Sequence, residues 1–574
     1  MKFNENCLGL NFDNVIYGNN THIRLLGGYD YNTYKKKWHA GFQTPNEWER
    51  TFSYNIDYKQ RDDVGDARTN WELNRHFQFG LLAKSVYVKC NSGGCWKEDF
   101  DELASLFYDW NKANPFLHGI SWTSVMEVAI RSVSWMYALA FLRKAGRGAE
   151  DVCMAMEIGI VNMVDYVSKH YSRYSSANNH LLVEALAIGI AGYAFNHESW
   201  KLLAVSLLSD ELYRQNYSDG VNKELSLHYQ TFGMEAYALM SHVMRHNGDV
   251  VPAPWIGMLE KQCVYVSHSL WNDRCVMEFG DDDEGKILDL QGGDFSHPIY
   301  ILQFCSLVLG KKFSTFDEVN ETLRWLFNES QIKDIMKQET RVPKGNRCFS
   351  VGGNTFLRDE ENRVLIGIDH AALGFGTIAA HGHADMLSLQ MMVDGKTILV
   401  DPGTFIYHCN IYKRNWYRKT INHNTMTVED RDQSEMLGAF LWGRKAKCSL
   451  VLWEDKPKDT TLVAEHDGYH PVVHRRTVKW NSADELTVVD NVSKECNWVI
   501  TWMLASECNV KIEDKCIVVN NGSTSLFITS SCGKATIEDV EISRCYGLYE
   551  KSVAIRISGH EHEHVTKIWI KHNK

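Results

Sequence analysis

The sequence predicts an α+β protein of two domains, helices first and strands afterwards. Three observations support this. The 574 residues exceed what one hydrophobic core organises. Apolar residues recur at helical period as far as about residue 338. After about 341 they fall into short alternating runs bounded by turn residues. We place the domains at 1–340 and 341–574.

Residues 1–60 show little periodicity. A helical pattern opens at Asn70-Trp-Glu-Leu-Asn-Arg-His76 and continues through Leu81, Leu82, Val86 and Val88. Helices are then expected at about 99–113, 121–145, 151–170, 178–196, 198–215, 227–247, 255–271, 296–310 and 316–338. Residues of turn type separate several of them, so antiparallel helical hairpins are the natural packing. No fixed-period repeat occurs, so a solenoid of the common repeat types is not expected; a curved array or toroid of helical pairs is compatible with the pattern, but periodicity alone does not close the ring.

The texture changes near Arg341-Val-Pro-Lys-Gly. Strands are expected at Arg363–Asp369, Thr461–Ala464, Arg476–Trp480, Glu485–Asp490, Val499–Met503, Cys516–Asn520 and Lys567–Lys571. Their alternation and spacing fit an antiparallel β-sandwich. Residues 450–574 carry no motif and read as sandwich filler.

The net charge of −11 argues against nucleic acid or an anionic membrane surface as partner. A polyanion would need a locally basic groove, for which Lys413, Arg414, Arg418, Arg444, Lys445 and Lys447 are candidates. Met1-Lys-Phe-Asn-Glu-Asn-Cys7 has no signal-like apolar stretch, and no apolar run reads as long enough to span a bilayer. The 15 cysteines are scattered without zinc-type spacing and fit buried thiols. These features suggest a cytoplasmic protein, or a periplasmic or secreted one whose signal is removed. Homo-oligomerisation stays open.

The chemistry concentrates at His381-Gly-His-Ala-Asp385. Downstream, Asp394-Gly395 between apolar runs signals a type I′ hairpin, which needs positive φ at both residues. Asp401-Pro-Gly-Thr404 and His423-Asn-Thr425 follow. His383, Asp401 and His423 suit one divalent ion, zinc-like in its donor set, leaving His381 free. A plain two-residue turn would pair Asp401 with Ser388, so shared ligation requires the chain to curl at the hairpin's open end. Asp385 is the spare ligand. In the helical half, Ser175-Ser-Ala-Asn178-Asn179-His180 opens one helix, and Glu224-Leu-Ser-Leu-His228-Tyr229 opens another.

These motifs, with Tyr417-Arg418-Lys419-Thr420 leading to His423, resemble the heparinase II/III-type polysaccharide lyases and their alginate-lyase relatives. The resemblance runs from about 70 to 430. It implies an N-terminal (α/α) toroid, a C-terminal sandwich, a mainly structural ion at His383, Asp401 and His423, and a site built from Asn179, His180, Tyr229 and His381. Gln230 follows the tyrosine where many relatives carry histidine. Arg75 is equally a substrate contact or an interior ion-pair partner. Tyr417 and Arg418 are equally substrate contacts or packing, and Glu224 stands beside the helix starts as a binding candidate. Glu127 and Arg131 are spaced to pair across one helical turn. Gly280-Asp-Asp-Asp-Glu-Gly285 reads as a solvated acidic turn.

The implied reaction is β-elimination on a uronate-containing glycan, giving a C4–C5 unsaturated product. Glycosaminoglycan is the first substrate expectation and alginate the second. Asn179 and His180 would stabilise the developing charge at a helix start. A cationic neighbourhood would lower Tyr229 from ~10 towards a base, with His381 as the second proton carrier. The rivals are a glycoside hydrolase using Glu184, Glu224 or the 281–284 carboxylates, and a non-catalytic carbohydrate-binding protein.

Overall fold

The structure, a computed structural model, describes all residues except 1, 13–17, 19, 147–148, 175, 272–274, 342–343, 362, 458, 482–484 and 573–574. Ser175 and residues 342–343 of the expected boundary therefore lie outside the described residues.

In the N-terminal half the helices are α1 (Tyr31–Tyr34), α2 (Ala67–Asn74), α3 (Phe77–Ser92), α4 (Lys97–Ala113), α5 (Val125–Ala145), α6 (Glu150–His170) and α7 (Asn179–Ala194). They continue as α8 (Glu198–Gln215), α9 (Leu227–His246), α10 (Ala253–His268), α11 (His297–Leu309), α12 (Glu321–Leu326) and α13 (Glu329–Met336). Helices α5, α7, α9 and α11 are buried almost all round and contact one another in succession. Around them α6, α8 and α10 each pack with one face in solvent. This is the helical toroid. Each inner helix is followed by an outer one running back, so α5, α7 and α9 begin at the same mouth. Polar residues that would be costly inside the ring collect there instead.

Two helical expectations change. The run from Asn70 to Val88 is broken because His76 takes a left-handed conformation, φ 62°. Its ring accepts a hydrogen bond from Trp135 Nε1 at 2.8 Å. The helix expected over 316–338 divides at Asn328, whose capping box with Gln331 starts α13 afresh. Val125–Ala145 is also long and apolar enough to cross a membrane, contrary to the sequence expectation, but here it is an inner toroid helix.

The strand-rich half contains three larger sheets. The first is the meander β1 (Arg347–Phe349), β2 (Asn354–Asp359), β3 (Val364–Asp369), β4 (Leu389–Val393) and β5 (Lys396–Leu399). Its alternate residues divide between two cores. Phe356, Leu365 and Met392 join the toroid core, whereas Leu357, Ile366 and Met391 join the sandwich core. Burial on both faces explains why Leu387–Val393 reads as almost continuously apolar. This sheet is the layer that seats one half of the molecule on the other.

Behind it, an eight-stranded sheet runs from Asn509–Glu513 at one edge to Cys448–Lys456 at the other. A four-stranded sheet comprises Lys534–Cys545, Leu548–Gly559, Trp498–Met503 and Met426–Val428. Asp394 and Gly395 both have positive φ, 56° and 72°, as the hairpin requires. The register shifts between Met391 and Met392, so Met391 pairs with Leu399. That bulge and the end of β5 at Leu399 free Asp401 from the plain pairing with Ser388.

Candidate active site

The site lies where the toroid mouth meets the segment after β3. Asn178 caps α7, its side chain accepting from His180 N. Glu224 lies alongside, accepting from Asn178 Nδ2 at 3.0 Å and from Asn179 Nδ2 at 2.9 Å. Glu224 is thus a buried positioning group for the helix start, and Asn179 spends its amide donors on it. His180 is pushed down to about 4, first by burial and then by His381. Its imidazole is therefore neutral near pH 7 and offers hydrogen bonds rather than charge.

Ser226 caps α9 and places Tyr229 in its first turn. The Tyr229 ring stacks on His381 at 3.8 Å between centroids, and its hydroxyl lies 3.2 Å from that of Tyr407. Burial, followed by Asp283 and Asp281, drives the Tyr229 phenol well above its ordinary value. The cationic neighbourhood expected to lower it is absent among the described residues, because Arg414 is engaged by Asp281. Tyr229 is a proton holder in this structure.

His381 is oriented by Asp281, whose Oδ2 lies 3.2 Å from Nδ1, while Nε2 stands 3.8 Å from Glu224 Oε2, too far for a hydrogen bond. Asp281 also meets His383 Nε2 at 3.0 Å and takes a two-pronged contact from Arg414. Burial alone would raise this carboxyl, but Arg414, His381 and His383 hold it well below the usual carboxylate range. Gly280 makes the approach workable. Its φ is 64°, and a Cβ there would meet the carbonyls of Leu225 and His381 at 2.8 and 2.9 Å. Gly382 is equally constrained, since a Cβ would lie 1.7 Å from Leu373 O.

The acidic loop is therefore not a solvated turn. Asp281 and Asp283 are buried, and Asp283 pairs with Arg68 at 2.7 Å and with His228 at 3.2 Å. A second tie comes from Asp66, which meets His408 Nδ1 at 2.9 Å and accepts from the Tyr546 hydroxyl. A cavity of about 570 Å³ lies behind this loop, lined by His228, Glu278, Asp282 and Asp401. Its lining does not include Tyr229 or His381.

His383, Asp385, Asp401 and His423 bring one ligand atom each within 4.8 Å of one another. His383 uses its other nitrogen on Asp281, and His423 Nδ1 lies 2.8 Å from Lys419 O, so both rings are oriented inward. Burial pushes Asp401 up to about 8 and Asp385 well above its ordinary value, while both histidines are pushed down. Two buried carboxylates opposite two neutral imidazoles fit a cation. The sequence's spare ligand, Asp385, joins the three expected ones.

Three expected substrate contacts do not face a cleft. Arg75 is buried and forks onto Glu127 at 2.7 and 2.8 Å, leaving Arg131 to donate to the carbonyls of Asn74 and Ser121 instead of pairing with Glu127. Tyr417 is buried against Phe405 and Trp416. Arg418 donates to Gly438 O and stacks on Trp442. Of the six candidates for a basic groove, Lys413 pairs with Glu541, Arg414 with Asp281, and Lys445 donates to the carbonyls of Gly376 and Thr377, whereas Arg444 and Lys447 are exposed. The C-terminal region is not filler. Arg476 forks onto Asp490 and donates to Leu387 O and Asn424 O, both at 2.7 Å, bracing the two segments that carry the metal-site residues.

Fold and site together define a toroid-on-sandwich protein with a His–Tyr centre beside a His/Asp cluster that could hold a cation. Family models agree with this. "Heparinase II/III N-terminus" matches residues 33–289, and "Heparinase II/III-like, C-terminal" matches 341–571. The chain belongs to the heparinase II/III family. It is 21% identical to a heparin-sulfate lyase of Bacteroides stercoris, over 79% of this chain and 66% of that protein. It is 22% identical to one of Pedobacter heparinus, over 89% and 74%. A crystal structure of heparinase III superposes with a TM-score of 0.72 at 16% identity, covering 99% of this chain and 88% of that one.

Proposed function

We propose that this protein is a polysaccharide lyase that cleaves a uronate-containing glycan by β-elimination, with a glycosaminoglycan as the first substrate and alginate as the second. The supporting observation is the stacked Tyr229–His381 pair, in which one group holds its proton and the other is oriented by Asp281. The C5 proton is weakly acidic because the uronate carboxylate is already negative. His381 accepts that proton through Nε2, its Nδ1–H being committed to Asp281. Tyr229, with its raised pKa, donates to the departing C4 oxygen. Neutral His180 hydrogen-bonds the substrate carboxylate as enolate character develops, while Glu224 keeps Asn179 at its side.

His383, Asp385, Asp401 and His423 would hold one divalent cation, zinc being the best match to two imidazoles and two carboxylates. The cation would supply charge that fixes the chain on either side of His381. The protein's own residues carry the proton transfers. The hydrolase reading lacks its facing carboxylates, since Glu184 is tied to Ser172, Glu224 to Asn178 and Asn179, and Asp281 to Arg414. Cleavage in isotopically labelled water tests the choice. Elimination leaves the products unlabelled, whereas label at the new reducing end would mean hydrolysis.

A further inference from the structure

Four polar residues stand on the core face of the eight-stranded sheet, where their neighbours along each strand are apolar. Strand Val472–Trp480 buries every second residue, and His474 and Arg476 share that face with Val472, Val478 and Trp480. His466 lies on one adjoining strand directly opposite His474, and Asp490 lies on the other directly opposite Arg476. All four are at most 1% exposed. Polar groups placed so are costly unless they are fully hydrogen-bonded.

They are satisfied in one order. Gly468 N donates to His466 Nδ1 at 3.1 Å, so a neutral His466 carries its proton on Nε2 and donates to His474 Nδ1, 3.1 Å away. His474 then donates from Nε2 to Asp490 Oδ1 at 2.7 Å. Burial pushes both imidazoles below their ordinary value, in keeping with neutral rings. Burial alone would raise the Asp490 carboxyl, but Arg476 and His474 hold it well below the usual carboxylate range. Asp490 receives Arg476 in a fork, through Nε at 2.7 Å and Nη2 at 3.0 Å. The remaining nitrogen, Nη1, bridges Leu387 O and Asn424 O, both at 2.7 Å.

Those two carbonyls belong to the ligand-bearing segments. Leu387 follows Asp385 by two residues, and Asn424 follows His423 directly. The Asn424 side chain completes the junction. Its amide donates to Leu389 O at 2.7 Å and to Val400 O at 2.9 Å, and its Oδ1 accepts from Met503 N. Val400 directly precedes Asp401. One guanidinium and one carboxamide therefore tie down the chain beside three of the four residues of the cation cluster. Replacing a buried ion pair by apolar residues is often neutral or stabilising, so stability alone does not account for these groups in a sandwich core.

We propose that Arg476 and Asn424 are positioning residues for the cation. They fix the separation of the Asp385, Asp401 and His423 segments, and the Asp490–His474–His466 chain holds Arg476 in direction. Neither is a ligand itself. The inference rests on the cation reading of His383, Asp385, Asp401 and His423, and it is independent of which glycan is cut.

The test uses the whole chain, loaded with zinc or with cobalt(II). Zinc release to a chromogenic chelator is timed for the parent, Arg476→Lys, Asn424→Ser and Ile570→Ala. The last is a core truncation elsewhere in the sandwich and reports the effect of lost stability alone. Arg476→Lys keeps the charge but cannot fork onto Asp490 and bridge two carbonyls at once. It and Asn424→Ser should release zinc about 10–100-fold faster than the parent. The visible absorption bands of bound cobalt should shift in both. Ile570→Ala should melt lower while keeping the parent's bands and release rate. Thermal melting confirms that each variant is folded at the assay temperature. Asn424→Ser leaves the Arg476–Asp490 pair in place and carries the test where Arg476→Lys does not fold. Parental release and parental bands in the folded variants, or equal acceleration in Ile570→Ala, would overturn the positioning role alone. A parent that takes up neither zinc nor cobalt would overturn the cation reading and the positioning role with it.

Discussion

The imidazole of His381 lies against the phenol ring of Tyr229 at 3.8 Å and 29°, although the two residues come from opposite halves of the chain. Neither half alone has a complete site. Substituting Tyr229→Phe removes the proton donor while keeping the stacked ring. The expected result is a loss of ~10²–10⁴-fold in kcat. The melting temperature should move little, because only the contact with the Tyr407 hydroxyl is lost. Single-turnover kinetics with calorimetry checks both.

Asp281 is the joint between the two functions of the site, touching His381, His383 and Arg414. Asp281→Asn leaves the buried Arg414 without its counter-charge, so stability should fall by ~3–5 kcal/mol. Activity should also fall, because the asparagine no longer fixes the His381 tautomer. Asp385→Asn, which leaves Asp281 in place, should keep the Arg414 contact. Urea unfolding of the two variants would separate these effects.

Four histidines make a contribution to stability that acid removes in a defined window. Burial, as the largest cause, pushes His180, His242, His268 and His370 down to about 4 in the folded protein. An unfolded histidine titrates near ~6.5. Between these values the unfolded chain binds more protons, so stability is fully present above pH ~6.5 and is lost as pH falls towards 4. Each such group adds at most about 1.4 kcal/mol per pH unit to the slope. This histidine contribution is read as the difference between the melting curves of the parent and of His370→Gln, which should change across this range and become constant below pH 4.

The cation site predicts one equivalent of bound divalent metal by elemental analysis. His423→Ala should abolish retention, and a chelator should lower the melting temperature of the parent but not of that variant. Because the ligands flank His381, metal removal should lower kcat as well as stability. Retained full activity in a demetallated, folded sample would contradict the structural role assigned to the ion.

Much of this was legible because local chemistry and tertiary role coincided. The inner helices are apolar all round, the 394–395 turn needs positive φ, and His383, Asp401 and His423 are ligand types at closely spaced turns. The readings that were left open or reversed share a cause. Arg75, Tyr417 and Arg418 are polar residues beside recognisable motifs, and only packing reveals that each faces inward. Asp281 and Asp283 look like surface residues, yet their partners lie 100 residues away in His381, 133 away in Arg414 and 215 away in Arg68. The apolar flanks Met277-Glu-Phe279 and Ile287-Leu288 were the available hint that this loop is buried. Tyr407 carries no pattern of its own and is known only by what it touches.

The most direct test of the central claim is ultraviolet absorbance during incubation with an unsulfated glucosamine–glucuronate polymer, heparan sulfate, hyaluronan, chondroitin sulfate and alginate, with the metal confirmed bound. The account predicts rising absorbance from a C4–C5 double bond on at least one uronate polymer, abolished in Tyr229→Phe. Chain cleavage without that absorbance, or equal absorbance from the parent and Tyr229→Phe, would contradict it.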